Sequence, residues 1–168
     1  MPVCIVYHSE TGTTRAVAER LAAVVRGDLI EVKDLAGYSK VGMYLMGAPR
    51  AMGGKKADIE PAVIDLSGYD AVVVGTPVWA GSPTPAANAA VAALVGIEGK
   101  PAVIFCTSRG SPGKTLETMR AMLAGRGADV RGAVGFTAQD VRDPAAMEAL
   151  VRLVRPLAVD TREATISP

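Results

Sequence analysis

Three uninterrupted apolar runs constrain this chain more than any other feature: Val3-Cys4-Ile5-Val6-Tyr7, Ala71-Val72-Val73-Val74-Gly75 and Ala102-Val103-Ile104-Phe105-Cys106. None alternates with polar residues, so each reads as a strand covered on both faces, the pattern of a parallel sheet between layers of helix. The intervening stretches have helical period. Val17, Leu21, Val24 and Val25 share one face of a helix ending near Gly27, and Leu116, Met119 and Leu123 share another. Met147, Leu150, Val151 and Val154 mark a last helix opened by Asp143-Pro144, which Pro156 is expected to end or kink. Pro85 suits the first turn of an alanine-rich helix from Ala86 to Val95. Leu29 to Val32 adds a strand, and Val130 to Phe136, broken by Gly132 and Gly135, adds an edge strand. The expected fold class is α/β: a doubly wound five-stranded parallel sheet. A length of 168 residues supports one domain, expected over 1–160, with a mobile tail over 161–168.

Parallel strands put the loops that follow them on one edge, and three of these loops are chemically unusual. The first, His8-Ser9-Glu10-Thr11-Gly12-Thr13-Thr14, gathers hydroxyls and a glycine at a helix start, where backbone N–H groups and the helix dipole favour an anion. It holds no lysine and no carboxylate pair, so a phosphate bound by neutral donors without a metal is expected; a hydroxyl-rich turn capping the helix is the plainer alternative. The second, Thr76-Pro77-Val78-Trp79-Ala80-Gly81-Ser82-Pro83, reads as a loop by its prolines and glycine and carries the single tryptophan. An indole at a strand end suits a platform for a flat ring, or else a half-buried surface anchor. The third, Thr107-Ser108-Arg109-Gly110-Ser111-Pro112-Gly113-Lys114-Thr115, ends like a nucleotide-triphosphatase phosphate loop, but Ser108 stands where that motif has its first glycine.

These loops resemble the three flavin loops of the flavodoxin family. Ser9-Glu10-Thr11-Gly12-Thr13-Thr14 is similar to the pattern that wraps the phosphate of flavin mononucleotide (FMN), and Gly75-Thr76-Pro77-Val78-Trp79-Ala80-Gly81 looks like the loop whose tryptophan stacks on the flavin. The resemblance runs from residue 3 to about 155 and implies the strand order 2-1-3-4-5, with the ligand at the switch point outside the carboxyl ends of the strands. It implies FMN as cofactor. Ser9, Glu10, Thr11, Gly12, Thr13 and Thr14 would form the phosphate loop, Thr76, Pro77, Val78, Trp79, Ala80 and Gly81 the ring platform, and Thr107, Ser108, Arg109 and Gly110 the loop at the N1 and O2 edge. The backbone of Ala80 and Gly81 would lie near flavin N5. No catalytic side chain is implied, because the flavin carries the chemistry.

The chain departs from that pattern in three ways. Gly81 replaces a common acidic residue, the third loop lacks a stacking tyrosine, and 18 basic against 17 acidic residues leave a formal charge of +1 where electron-shuttling flavodoxins are strongly acidic. Near-neutrality gives no field for nucleic acid. A guanidinium at Arg109 would favour the anionic reduced flavin and a potential less negative than that of acidic flavodoxins, unless it points to solvent.

Residues 37–57 hold Lys40, Arg50, Lys55 and Lys56 with two tyrosines and three methionines, a lid, a homodimer or partner surface, or a crossover helix. His8, the single histidine, reads as a solvated loop residue or as a contact to phosphate or partner. Cys4 and Cys106 read as small buried hydrophobes in a reducing compartment, and the short first run suits neither a signal peptide nor a membrane span, so a cytoplasmic protein is expected. The leading functional reading is an FMN-binding electron carrier that docks on a redox partner protein or passes electrons to a small acceptor. The alternatives are an FMN-dependent NAD(P)H or quinone oxidoreductase and a flavin-free binding domain. Tyr7-His8-Ser9 lacks the acidic residues of a response-regulator receiver.

Overall fold

A computed structural model describes residues 1–36 and 58–158. The segment 37–57, with every role proposed for it, and the tail 161–168 lie outside the described residues. Five long strands form the sheet: β1 (Val3–His8), β2 (Asp28–Asp34), β5 (Ala71–Trp79), β8 (Pro101–Thr107) and β9 (Asp129–Phe136). They pair in parallel in the order β2-β1-β5-β8-β9, which is the 2-1-3-4-5 order expected. Four two-residue strands decorate this frame. β3 (Ile59–Glu60) adds antiparallel to β2, β6 (Ser82–Pro83) folds back on β5, and β4 (Ile64–Asp65) pairs with β7 (Leu94–Val95).

Strand alternation divides the core into two layers. Val3, Ile5, Tyr7, Val73, Val103 and Phe105 face α1 (Thr13–Val25) and α4 (Pro144–Ala158). Cys4, Val6, Val72, Val74, Ala102 and Ile104 face α2 (Pro85–Ala93) and α3 (Thr115–Gly125). Full burial of side chains such as Ile5, Ile104 and Phe105 contributes roughly 1.5–3 kcal/mol apiece. Gly75 has a packing reason, since a Cβ there would lie 2.2 Å from Phe105 Cζ: the ring lies over the bare backbone of the neighbouring strand. Both thiols are fully buried, and desolvation pushes each up to about 12, with Asp28 adding to the effect at Cys4.

The helices follow the apolar pattern with some differences. In α1 the buried stripe is Thr14, Val17, Ala18 and Leu21, while Val24 is exposed. The helix starts at Thr13, so the stripe begins one turn earlier than the valines suggest. Helix α2 is capped by Thr84, whose Oγ1 accepts from the Ala87 N–H at 3.2 Å, and it ends at Ala93 because Leu94 and Val95 leave to pair with β4. Its last carbonyls, on Val91, Ala92 and Leu94, accept from the Arg126 guanidinium, a cation placed at the negative end of the helix. The four apolar residues expected on α4 are its buried residues. Pro156 lies inside α4, two residues before its end, where the missing N–H costs one hydrogen bond of the final turn.

The largest correction concerns Thr76 to Pro83. The sequence reads as a loop, but β5 continues through Thr76, Pro77, Val78 and Trp79, and only Ala80 and Gly81 turn before β6. Both turn residues have positive φ, 49° and 72°, as a two-residue hairpin with right-twisted strands requires. Pro77 is tolerated because β1 pairs with β5 only as far as Gly75, whereas β8 follows it to Pro77.

Candidate functional site

The switch point lies between β1 and β5, whose crossovers leave to opposite faces of the sheet. Outside the carboxyl ends of β1, β5 and β8 lies a cavity of about 690 Å³, within the size range of small-molecule and cofactor sites. Its walls are Glu10, Thr11 and Thr13 from the loop after β1; Pro77, Val78, Trp79, Ala80 and Gly81 from the β5–β6 hairpin; and Thr107, Ser108, Arg109 and Gly110 from the end of β8 and the loop after it.

Ser9, Gly12, Thr14 and Thr76 do not line this cavity, although the sequence grouped them with the residues that do. They shape its walls from beneath. Ser9 Oγ accepts from the N–H groups of Gly12 and Arg15, each at 3.2 Å, and so folds the loop onto the start of α1. Gly12 sits at φ 93°, a left-handed conformation that favours glycine, and leads directly into Thr13. Thr14 is buried and its hydroxyl lies 2.8 Å from that of Thr107, which ties the first loop to the end of β8. Buried Thr76 donates to the Pro77 carbonyl and accepts from the Thr84 N–H, fixing the hairpin against the start of α2. What remains open at the first loop is a pair of hydroxyls, Thr11 and Thr13, beside a helix start whose first N–H groups have no intrahelical acceptor.

The second and third loops meet backbone to backbone. The Lys114 N–H donates to the Gly81 carbonyl at 2.8 Å, and a Cβ on Gly113 would lie 2.5 Å from Gly81 Cα and 2.7 Å from Gly81 O. Gly113 also holds φ at 53°. Its N–H donates to Ser111 Oγ at 3.2 Å, and Thr115 is buried, so the Gly113-Lys114-Thr115 ending packs the loops together instead of framing a phosphate cradle of its own.

Two wall residues were not among the expected cofactor contacts, Ser111, which lies in the third loop, and Ala138. Ser111 lies one residue past the four assigned to the N1 and O2 edge. Ala138 sits in a turn after β9 held by Asp140, whose Oδ2 accepts from the Thr137 N–H and hydroxyl at 2.8 and 2.7 Å; these bonds, the backbone one first, hold the Asp140 carboxyl below its ordinary value. No local sequence pattern marks an alanine as a wall residue.

His8 is buried at the end of β1, which overturns its reading as a solvated loop residue. Its Nδ1 lies 2.9 Å from the Val32 carbonyl, and its ring meets Trp79 edge-on, with centroids 6.3 Å apart. Trp79 itself is only 9% exposed, braced in the wall with one part bare to the cavity. Arg109 is exposed at the rim. Among the described residues no group of His, Cys, Asp and Glu side chains is arranged to hold a metal ion, and no helix is long and apolar enough to cross a membrane.

Comparison with known proteins places this arrangement. A protein from Bacteroides eggerthii shares 24% identity over 95% of this chain and 99% of its own, with a TM-score of 0.73. A flavoprotein from Lactobacillus acidophilus, solved in complex with FMN, shares 23% over 80% of this chain and 92% of its own, with a TM-score of 0.64. The two-electron reduced flavodoxin of Megasphaera elsdenii shares 18% over 93% and 98%, with a TM-score of 0.59. At these identities the likeness is one of fold. No curated protein matches the chain in sequence. The family model for NADPH-dependent FMN reductases matches residues 2–141, from the first strand through all three walls of the cavity, and the chain belongs to that flavodoxin-like family.

Proposed function

We propose that the cavity holds FMN and that the protein is an NAD(P)H-dependent flavin oxidoreductase. Bound there, FMN would accept a hydride and pass its electrons on. The donor set fits the group. The hydroxyls of Thr11 and Thr13 and the N–H groups of Thr13 and Thr14 at the start of α1 would hold the phosphate with neutral donors, while Ser9, Gly12 and the Thr14 hydroxyl keep that loop in shape. Trp79 would lie against the ring, and the Ala80-Gly81 turn, fixed by Gly113 and Lys114, would face its N5 edge. Thr107, Ser108, Arg109 and Gly110 would border the pyrimidine edge.

The observation that carries the reductase reading over the carrier reading is the aromatic inventory of the cavity. Trp79 is the only ring among the described residues that line it. One flavin face would meet the indole, and no other aromatic among the described residues would cover the face that a nicotinamide needs for face-to-face hydride transfer. The family match supports the same choice. Among the described residues that line the cavity, Glu10 and Arg109 are the charged ones and they are of opposite sign, which gives no single-sign field there to steer a carrier onto an oppositely charged redox protein.

The test is anaerobic mixing of the FMN-loaded protein with NADPH and, separately, NADH, following the visible flavin band. Bleaching within a catalytic turnover time supports the reductase. A band that survives both nucleotides but bleaches with a reduced redox protein would return the chain to the carrier class.

A further inference from the structure

The tautomer of His8 follows from its surroundings. A carbonyl can only accept, so the bond to Val32 O at 2.9 Å requires the proton on Nδ1. In the neutral ring, Nε2 then carries a bare lone pair. That atom is buried with no hydrogen-bond partner among the described residues, in a residue 3% exposed, and it lies 3.6 Å from Glu10 Oε2. Two acceptors facing each other at this distance repel; a proton on Nε2 turns the contact into an ion pair. Glu10 lies on the cavity wall beside Thr11 and Thr13. A carboxylate in a loop that is to receive a phosphate adds a like charge and disfavours binding unless it is neutralised or held aside.

We propose that His8 is a proton-binding positioning residue of the phosphate loop: protonated at Nε2, it holds the Glu10 carboxylate away from the incoming phosphate, so that FMN binding takes up a proton at His8. The inference rests on the proposed FMN site. The other groups around the imidazole agree with it. Strand β2 brings Asp34 onto the face that Val32 occupies, with its Oδ2 buried and without a hydrogen-bond partner among the described residues, a second acidic group on that side. Glu31 and Lys33 alternate to the opposite face, where Glu31 pairs with Arg15. Strand β5 and helix α2 contribute no charged side chain, and β5 meets His8 with Trp79. The same imidazole therefore links the carboxylate at the phosphate end to the indole at the ring end. Added phosphate charge raises the proton affinity of His8, and by linkage the protonated form binds FMN more tightly.

His8 is the single histidine, so its ring Hε1 gives one resolvable proton signal for a direct pH titration by NMR. The expected result is a His8 pKa at least one unit higher with FMN bound than without, which corresponds to about a tenfold gain in affinity across that pH interval. His8→Asn keeps a donor for Val32 O but has no Nε2, and it should leave FMN binding with only the pH dependence of the phosphate's own ionisation. Riboflavin, which lacks the phosphate, should not move the His8 titration. A His8 pKa that is the same with and without FMN, or a His8→Asn protein with the wild-type affinity profile against pH, would overturn the proposal while leaving the FMN site standing. Absence of FMN binding at every pH would remove both.

Discussion

Gly113→Ala tests how the cavity is held in shape. The added methyl meets Gly81 Cα at 2.5 Å, Gly81 O at 2.7 Å and Gly81 C at 3.0 Å, all of them backbone atoms that cannot rotate aside. Restoring ordinary contact at about 3.4 Å means separating the third loop from the hairpin by roughly 0.9 Å. A shift of that size stretches the bond from Lys114 N–H to Gly81 O, now 2.8 Å, beyond hydrogen-bonding range. That loss costs about 1 kcal/mol, and placing a Cβ at φ 53° costs roughly 1–2 kcal/mol more. The expected destabilisation is therefore about 2–3 kcal/mol by chemical denaturation. Because Gly81 and Arg109 stand on the two walls that separate, FMN affinity should fall by about tenfold or more, since displacements near 1 Å are costly at sites that depend on alignment. The control is Gly125→Ala in α3, where no atom lies within 4 Å and φ is not positive; it should be neutral or stabilising by up to about 1 kcal/mol. A Gly113→Ala protein with unchanged stability and wild-type FMN affinity would refute the backbone contact as the clamp between the loops.

Three other expectations follow from the structure. Ala80→Gly relieves a left-handed alanine at φ 49° and should raise stability by about 0.5–1 kcal/mol in denaturant titration; a lower midpoint would contradict the hairpin geometry. Arg109→Ala should move the two-electron potential of bound FMN negative by no more than about 20 mV, because an exposed charge is worth at most about 1 kcal/mol, and a potential unmoved in low salt would remove Arg109 from any role at the ring. Cys4 and Cys106 titrate near 12 in the folded protein against about 9 when free, so the unfolded chain loses these protons first and stability should fall as pH rises from about 9 to 12. The slope is about 1.4 kcal/mol per pH unit per thiol, and Cys106→Ala should flatten the profile by one thiol's share; a profile identical to wild type would place the thiol in water.

The parts of the fold read from the sequence are those written in local periodicity. Val3 to Tyr7, Ala71 to Gly75 and Ala102 to Cys106 could be seen as doubly covered strands because burial on both faces removes alternation. The apolar residues of α4 were legible for the same reason. The extension of β5 through Thr76-Pro77-Val78-Trp79 was not, because proline and threonine signal a loop locally while the pairing of Thr76 and Pro77 with β8 is set thirty residues away in sequence, and Val78 and Trp79 are held by the hairpin to Ser82 and Pro83. The three loops were marked by glycine and hydroxyl content, yet composition could not separate Thr11 and Thr13, which face the cavity, from Ser9 and Thr14, which bond inward. The burial of His8 likewise depends on the Val32 carbonyl from the adjoining strand and on Trp79 from the other side, neither of which has a signature near residue 8.

The central claim is that one cavity formed by three separate loops holds FMN against Trp79. Because Trp79 is the single tryptophan, titrating the flavin-free protein with FMN while following indole emission and the visible flavin spectrum reads that contact directly. Saturable quenching of Trp79 emission with a matching change in the flavin bands is expected, both lost on Thr13→Glu, which sets a negative charge in the phosphate end. Flavin binding that leaves the indole emission unchanged, or no binding at all, would contradict that claim.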